Sequence, residues 1–248
     1  MSTTRDAFLG GRVQITQPRV GYRAATDPVY LAAACPALPG QSVLDLGCGV
    51  GTAALCLHAR VPGLRMVGVE RQPDYAALAR LNAAEAGADM TVIEADLTDL
   101  PADLRQLCFD HVVTNPPYFA ANDGTASRDT GREAANRAET SLGDWIATAR
   151  ARLAPRGWLT LIQTAERLPD CLSALQTGFG AITVLPIQSR SGRAANRVVI
   201  RARKSARAPF RLLPPFLVHE GPSHAADAPD FTPQAEAVLR HAAPLALG

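Results

Sequence analysis

From residue 42 onward, apolar and polar positions alternate in short runs whose period switches in a regular order. Ser42–Leu46 is a short apolar run that ends in glycines, and Thr52–Arg60 follows it with helix-forming Ala and Leu. This predicts a strand, a glycine loop and a helix. The order then repeats: Arg65–Glu70 reads as a strand, Pro73–Ala86 as a helix started by Pro and stopped by Gly87, and Met90–Glu94 as a strand. Phe109–Thr114 reads as a buried strand, followed by a polar loop, Ala120–Thr140, and a helix, Leu142–Leu153, with a capping box at Ser141 and Asp144. Trp158–Ile162 reads as a strand and Glu166–Gln176 as a helix, while Ala181–Ile187 and Arg197–Arg203 form a hairpin across Ser191-Gly192. Residues 1–41 are less regular. Residues 204–230, rich in Pro, Ala and His, predict an extended cover before a last helix, Pro233–His241.

Strands that alternate with helices predict an α/β, doubly wound fold: a mostly parallel seven-stranded sheet covered on both faces, with the antiparallel hairpin at one edge. A length of 248 residues fits one domain, with residues 1–41 as an N-terminal lead-in and 204–248 as a C-terminal cover and helix. Composition agrees with a globular chain, at 47% hydrophobic and 19% charged residues. The five cysteines form no Cys-x-x-Cys pair and are odd in number, which argues against a disulfide scaffold or a zinc site and for a reducing cytoplasm. The first residues lack the apolar core of a signal peptide, and no run approaches the roughly 18 apolar residues of a membrane span. Neither secretion nor a membrane partner is expected.

Charge changes the picture further. The net charge of +2 conceals an excess of acid over residues 1–127, with 9 basic and 13 acidic side chains, and of base over 128–211, with 15 and 6. Between Ile187 and Arg211 lie eight basic side chains and no acid, among them Arg190, Arg193 and Arg197. A stretch of that kind invites a polyanion, although a solvated basic strand would have the same composition.

The loop after the first strand of the alternation is Asp45-Leu-Gly47-Cys-Gly49-Val-Gly51, and it opens a helix. Glycines permit a tight turn and close backbone approach, and an open helix N-terminus favours acceptor or anionic groups. A dinucleotide fingerprint would require glycine at position 52, where Thr52 stands. Two further acids end the next two strands: Glu70, and Asp96 in the run 94–97. Carboxylates accept, and ribose hydroxyls donate. After the fourth strand comes Asn115-Pro116-Pro117-Tyr118, at the sheet edge where open α/β folds bind ligands. An exocyclic amine or an amide nitrogen has a delocalised lone pair and is a poor nucleophile. The Asn115 side-chain oxygen and the Pro116 carbonyl can each accept one of its N–H groups, the prolines fix both acceptors, and Tyr118 offers a face on which a base stacks.

The acid-led glycine loop resembles that of class I S-adenosylmethionine (SAM)-dependent methyltransferases. In that resemblance Asp45, Gly47, Gly49 and Gly51 form the cofactor loop, Glu70 takes the ribose hydroxyls, and Asp96 with Leu97 meets the adenine. The whole set is similar to amino-group methyltransferases with an Asn-Pro-Pro-Tyr motif, above all the bacterial valine-tRNA adenine-N6 methyltransferase family. The similarity extends to residues 17–23 and 26–31, to Phe119, and to the tail at 218–220 and 231–240. It implies that Tyr22, Arg23, Thr26 and Asp27 line the cofactor or substrate pocket, that Asn115 borders the cofactor, and that SAM is the methyl donor with no metal. Read without that resemblance, Tyr22 is a packing residue and Asp27 a helix N-cap. Phe119, Arg128, Arg132, Arg190, Arg193 and Arg197 are the expected contacts to a tRNA substrate, with the protein taken as a monomer.

The same motif would serve a glutamine side chain of a release factor or ribosomal protein, or adenine in DNA. Only about 40 residues precede the glycine loop, few for a separate helical substrate domain, and no DNA target-recognition insertion is visible. A SAM-binding RNA module without catalysis is the remaining alternative.

Overall fold

The computed structural model describes residues 1–118, 140–221 and 230–248. Its centre is a sheet of seven long strands: β3 (Ser42–Leu46), β4 (Arg65–Glu70), β5 (Met90–Glu94), β6 (Phe109–Thr114), β7 (Leu153–Thr164), β8 (Phe179–Gln188) and β9 (Arg197–Lys204). They lie in the order β5-β4-β3-β6-β7-β9-β8. All run parallel except β9, which is antiparallel to both its neighbours. Two-residue strands β10 (Arg211–Leu212) and β11 (Phe216–Leu217) pair with β8 and extend that edge, so the expected C-terminal cover joins the sheet.

The sheet is apolar on both faces because its strands alternate. Val43, Ile162 and Val199 face one layer, and Leu44, Leu161 and Ile200 the other. The first layer holds α1 (Asp27–Ala34), α2 (Thr52–Arg60) and α7 (Pro233–His241). The second holds α4 (Ala102–Gln106), α5 (Leu142–Arg152) and α6 (Leu168–Leu175), while α3 (Pro73–Glu85) covers the outer strands β4 and β5. The capping box at Ser141 and Asp144 is present, with each side chain bonded to the other residue's backbone N–H.

Two parts of the lead-in segment are regular where an irregular chain was expected. Helix α1 is one. The other is an antiparallel hairpin of β1 (Thr3–Phe8) and β2 (Val13–Pro18), which pairs only with itself. Its strands carry Thr, Gln and Arg in place of a clean apolar run, so periodicity alone is a weak signal there. Asn82 ties this hairpin to the main body: its fully buried amide accepts from Thr16 N–H and donates to the carbonyls of Thr16 and Val50.

The basic run 187–211 does not form one patch. Arg190, Arg193 and Arg197 sit where β8 ends and β9 begins, at the same sheet edge as Asn115. Arg203 and Lys204 lie at the opposite end of β9, bonded to the carbonyls of Arg156 and Leu153. At roughly 3.3 Å per residue, the length of β9 separates the two groups by about 20 Å.

Candidate active site

The strand order reverses between β3 and β6, whose C-terminal ends diverge into loops that run to opposite sides. A cavity of about 510 Å³ opens there, a volume typical of small-molecule sites. It is bordered by the glycine loop, Glu70, Asp96, Leu97 and the motif 115–118.

Gly47, Gly49 and Gly51 all adopt positive φ, and one of them is also in tight contact. A Cβ on Gly47 would lie 2.3 Å from Cη2 of Trp145 in α5, so the indole packs directly over the loop. Glu70 braces the loop from the end of β4: one carboxylate oxygen accepts from Gly49 N–H at 3.0 Å and the other from Gln72 N–H at 2.8 Å. A carboxylate has about four acceptor positions, so acceptor capacity remains toward the cavity. Asp96 accepts from the Thr98 N–H and hydroxyl at 2.9 and 2.7 Å, which, with Arg71 nearby, holds its carboxyl below the usual range.

Asp45 is different. It is buried at the end of β3, and its Oδ2 is a buried acceptor with no hydrogen-bond donor. Burial pushes its carboxyl from 3.8 up to about 7; the Ala54 N–H opposes this shift and the Glu70 charge adds to it. An unmet acceptor beside the cavity, next to the glycine loop, fits a ligand that brings a donor or a cation.

The motif leaves β6 at Thr114, whose hydroxyl donates to the Leu46 carbonyl and so ties β6 to β3. Two prolines, lacking N–H groups, then end the ladder. Asn115 donates through Nδ2 to the Tyr22 hydroxyl at 3.2 Å, and its Oδ1 lies 2.9 Å from the Tyr118 hydroxyl. The Tyr118 hydroxyl is also 2.6 Å from Asp27 Oδ2, which pairs with Arg197 Nε at 3.1 Å. Fully buried Gln163, at the end of β7, reaches toward the Pro116 and Pro117 carbonyls at 3.5 and 3.4 Å. Asn82, Trp145 and Gln163 were not singled out in the sequence. Each sits among polar and apolar neighbours in its element, so nothing local marked it.

Several expected site residues sit elsewhere. Tyr22 borders the cavity, but Arg23 turns away: its guanidinium pairs with Asp6 at 2.7 Å and bonds Thr4, holding the N-terminal hairpin. Thr26 is exposed and caps α1 through its carbonyl, while Asp27 is the helix's first residue and reaches Tyr118 outside the cavity wall. Arg190 is buried, paired with Asp230 and bonded to the Glu220 carbonyl, so it latches the C-terminal tail and is not presented to a phosphate. Arg193 is exposed at the hairpin tip. Phe119, Arg128 and Arg132 lie outside the described residues.

Residues 29–190 match the family described as Methyltransferase small domain. A tRNA1(Val) (adenine(37)-N6)-methyltransferase of Porphyromonas gingivalis is 35% identical over 174 residues, covering 66% of this chain and 68% of that relative. A release factor glutamine methyltransferase of Geobacter sulfurreducens is 34% identical over 75% of this chain, which spans only 62% of that relative's length. Among solved structures, a predicted O-methyltransferase, protein Atu636 from Agrobacterium tumefaciens, superposes with a TM-score of 0.70 at 29% identity, over 88% of this chain and 98% of that one.

Proposed function

The chain belongs to the methyltransferase small domain family, and from that premise we propose that it methylates the exocyclic N6 amine of an adenine in tRNA, next to the anticodon. The observation that carries this reading is the set around one cavity: the Asn115 and Pro116 acceptors and the Tyr118 ring after β6, and across the switch point the acids Asp45, Glu70 and Asp96 at or just past the ends of β3, β4 and β5. The relative from Porphyromonas gingivalis, named for this reaction, supports it.

The acidic end suits SAM, which supplies an electrophilic methyl group on a sulfonium. Asp45 would meet its ammonium, Glu70 its ribose hydroxyls, and Asp96 with the Leu97 backbone its adenine. At the other end, Asn115 Oδ1 and the Pro116 carbonyl each take one N–H of the target amine, which aims its remaining electron density at the methyl group. SAM bound there would supply its methyl group to that nitrogen and keep the bonding electrons on sulfur, while Asn115 and Pro116 hold the amine and its surplus proton would pass to water. Tyr118 stacks on the base and holds it away from the neighbouring bases of its loop. All of this fits one domain working in the cytoplasm.

A glutamine amide fits the same two acceptors, and the relative from Geobacter sulfurreducens keeps that second reading open. Labelled SAM, offered with total tRNA, protein extract and genomic DNA from a strain lacking this gene, separates the two. N6-methyladenosine in tRNA is the expected product. Label confined to protein would move the substrate to glutamine, and label confined to DNA would move it to a DNA adenine.

A further inference from the structure

The Tyr118 hydroxyl carries one proton and faces two acceptors, Asp27 Oδ2 at 2.6 Å and Asn115 Oδ1 at 2.9 Å. The shorter contact, to a carboxylate, is the stronger. Burial and the Asp27 charge raise the Tyr118 hydroxyl well above its ordinary range, so it stays a donor. Asn115 Oδ1 is also the atom assigned to the incoming amine. Asn115 Oδ1 has two acceptor positions, so a Tyr118 hydroxyl bonded there takes one of them and narrows the directions from which the amine can approach, unless the hydroxyl is held elsewhere.

Asp27 provides that other place, and Arg197 secures it. Arg197 Nε donates to the same Asp27 oxygen, its Nη1 donates to the Asn196 carbonyl, and its guanidinium carbon lies 4.4 Å from the centre of the Tyr118 ring. Tyr118 borders the cavity and Arg197 does not, which leaves the cavity side of the ring for a base. The three residues come from the start of α1, the segment after β6 and the start of β9, and the outer two are 170 positions apart.

We propose that Asp27 and Arg197 are positioning residues that clamp the Tyr118 hydroxyl and ring, releasing Asn115 Oδ1 to the substrate amine, and that neither binds cofactor or phosphate. This rests on the reading of Asn115 given above. Without Asp27, the hydroxyl would turn wholly to Asn115, fill one of its two acceptor positions and crowd the amine's approach to the other. Without Arg197, the ring would lose the cation behind it and Asp27 its neutralising partner.

The test is a cycle of Asp27→Ala and Tyr118→Phe, singly and together, assayed by methyl transfer to tRNA from a deletion strain and by calorimetric SAM binding. Asp27→Ala should lower kcat roughly 10- to 100-fold, the scale of a misplaced reacting group, with SAM affinity held within about twofold. In the Tyr118→Phe background, where there is no hydroxyl to hold, the same change should cost less than about threefold. Asp27→Asn, which can still accept from Tyr118, should recover part of the rate. Arg197→Ala should lower kcat and leave the salt dependence of KM unchanged, because a phosphate contact would reduce that slope by about one.

Equal losses in both backgrounds, weakened SAM binding in Asp27→Ala, or a reduced salt slope in Arg197→Ala would each overturn the clamp. If the wild-type protein labels no adenine, the substrate reading fails separately. The cycle is then read by thermal unfolding: a Tm shift from Asp27→Ala that shrinks in Tyr118→Phe supports the clamp, and additive shifts overturn it.

Discussion

Asp45, Gly47, Gly49 and Gly51 lie within seven consecutive residues, whereas Asp27, Asn115, Tyr118, Gln163 and Arg197 span most of the chain. The two ends of the cavity also hold their functional groups differently. At the acidic end, Glu70 and Asp96 are bonded to backbone N–H groups of Gly49, Gln72 and Thr98, which move only if the main chain moves. At the Asn115 end, side chain holds side chain: Tyr22 to Asn115, Asn115 to Tyr118, Tyr118 to Asp27, Asp27 to Arg197. A backbone-anchored wall is pre-organised for a cofactor that must bind every cycle the same way. A wall of side chains can exchange partners when substrate arrives. Substitutions at the first end should register in affinity for SAM, and those at the second in the rate of transfer.

The sharpest division between the two ends comes from removing the acceptor. Asn115→Ala should reduce methyl transfer by about 100- to 1000-fold, the range for loss of one pre-organised polar group in a transition state, with SAM affinity unchanged within about threefold. Single-turnover transfer and calorimetry on the same preparation measure both. A parallel loss of SAM binding would erase the distinction between the ends.

Gly47→Ala is the counterpart at the acidic end. Its φ of +66° disfavours any side chain, and the new Cβ would fall 2.3 Å from Trp145 Cη2. SAM affinity should fall tenfold or more, while the rate at saturating SAM changes less than the affinity does. A fall in rate without a fall in affinity would contradict the assignment of that loop.

Asp45 supplies a pH test. Its carboxyl is raised from 3.8 to about 7, so between those values the folded protein holds a proton that the unfolded chain has released. Asp45 therefore costs stability progressively as pH rises through that window, and the whole cost is present above it. A ligand cation favours the ionised form and reverses the cost. SAM affinity should rise from pH 5.5 toward 7, by up to about tenfold per unit, and level off above. Asp45→Asn should bind weakly with a flat profile; an unchanged slope would assign the titration to another group.

The difference between the two ends also decides what could be read without coordinates. β3, β4, β5 and β6 were legible to the residue because buried parallel strands are short apolar runs with clear breaks, and the acids proposed for the cofactor sit at or just past the ends of the first three. The motif at 115–118 was legible because it is contiguous. Asp27 and Arg197 were expected at the pocket and at tRNA, but their contact with each other was not foreseen, since a pair 170 positions apart has no local signature and each has an ordinary local explanation, a helix start or a basic strand. Arg23 and Arg190 show the same limit. An arginine reads as charge in a sequence, and only the fold reveals that Asp6 and Asp230 already neutralise it.

That limit yields the finest test, because Arg190 and Arg193 are three residues apart and look equivalent in composition. Arg190 is 7% exposed and holds Asp230 and the Glu220 carbonyl, which fastens the tail beside β8. Breaking that pair removes a buried guanidinium and its bonds to Asp230 and the Glu220 carbonyl, and Arg190→Ala should lower the unfolding free energy by about 2 kcal/mol. Its salt dependence for tRNA should match that of the wild type. Arg193 stands exposed at the hairpin tip on the cavity's edge of the sheet, so Arg193→Ala should leave stability within about 0.5 kcal/mol. It should instead reduce the slope of log affinity against log salt by about one, the signature of one phosphate neutralised. Binding titrations at several salt concentrations, beside urea unfolding of both variants, separate the two effects. Unaltered slopes in both would place the tRNA backbone away from this tip and return the search for phosphate contacts to the arginines of residues 120–140.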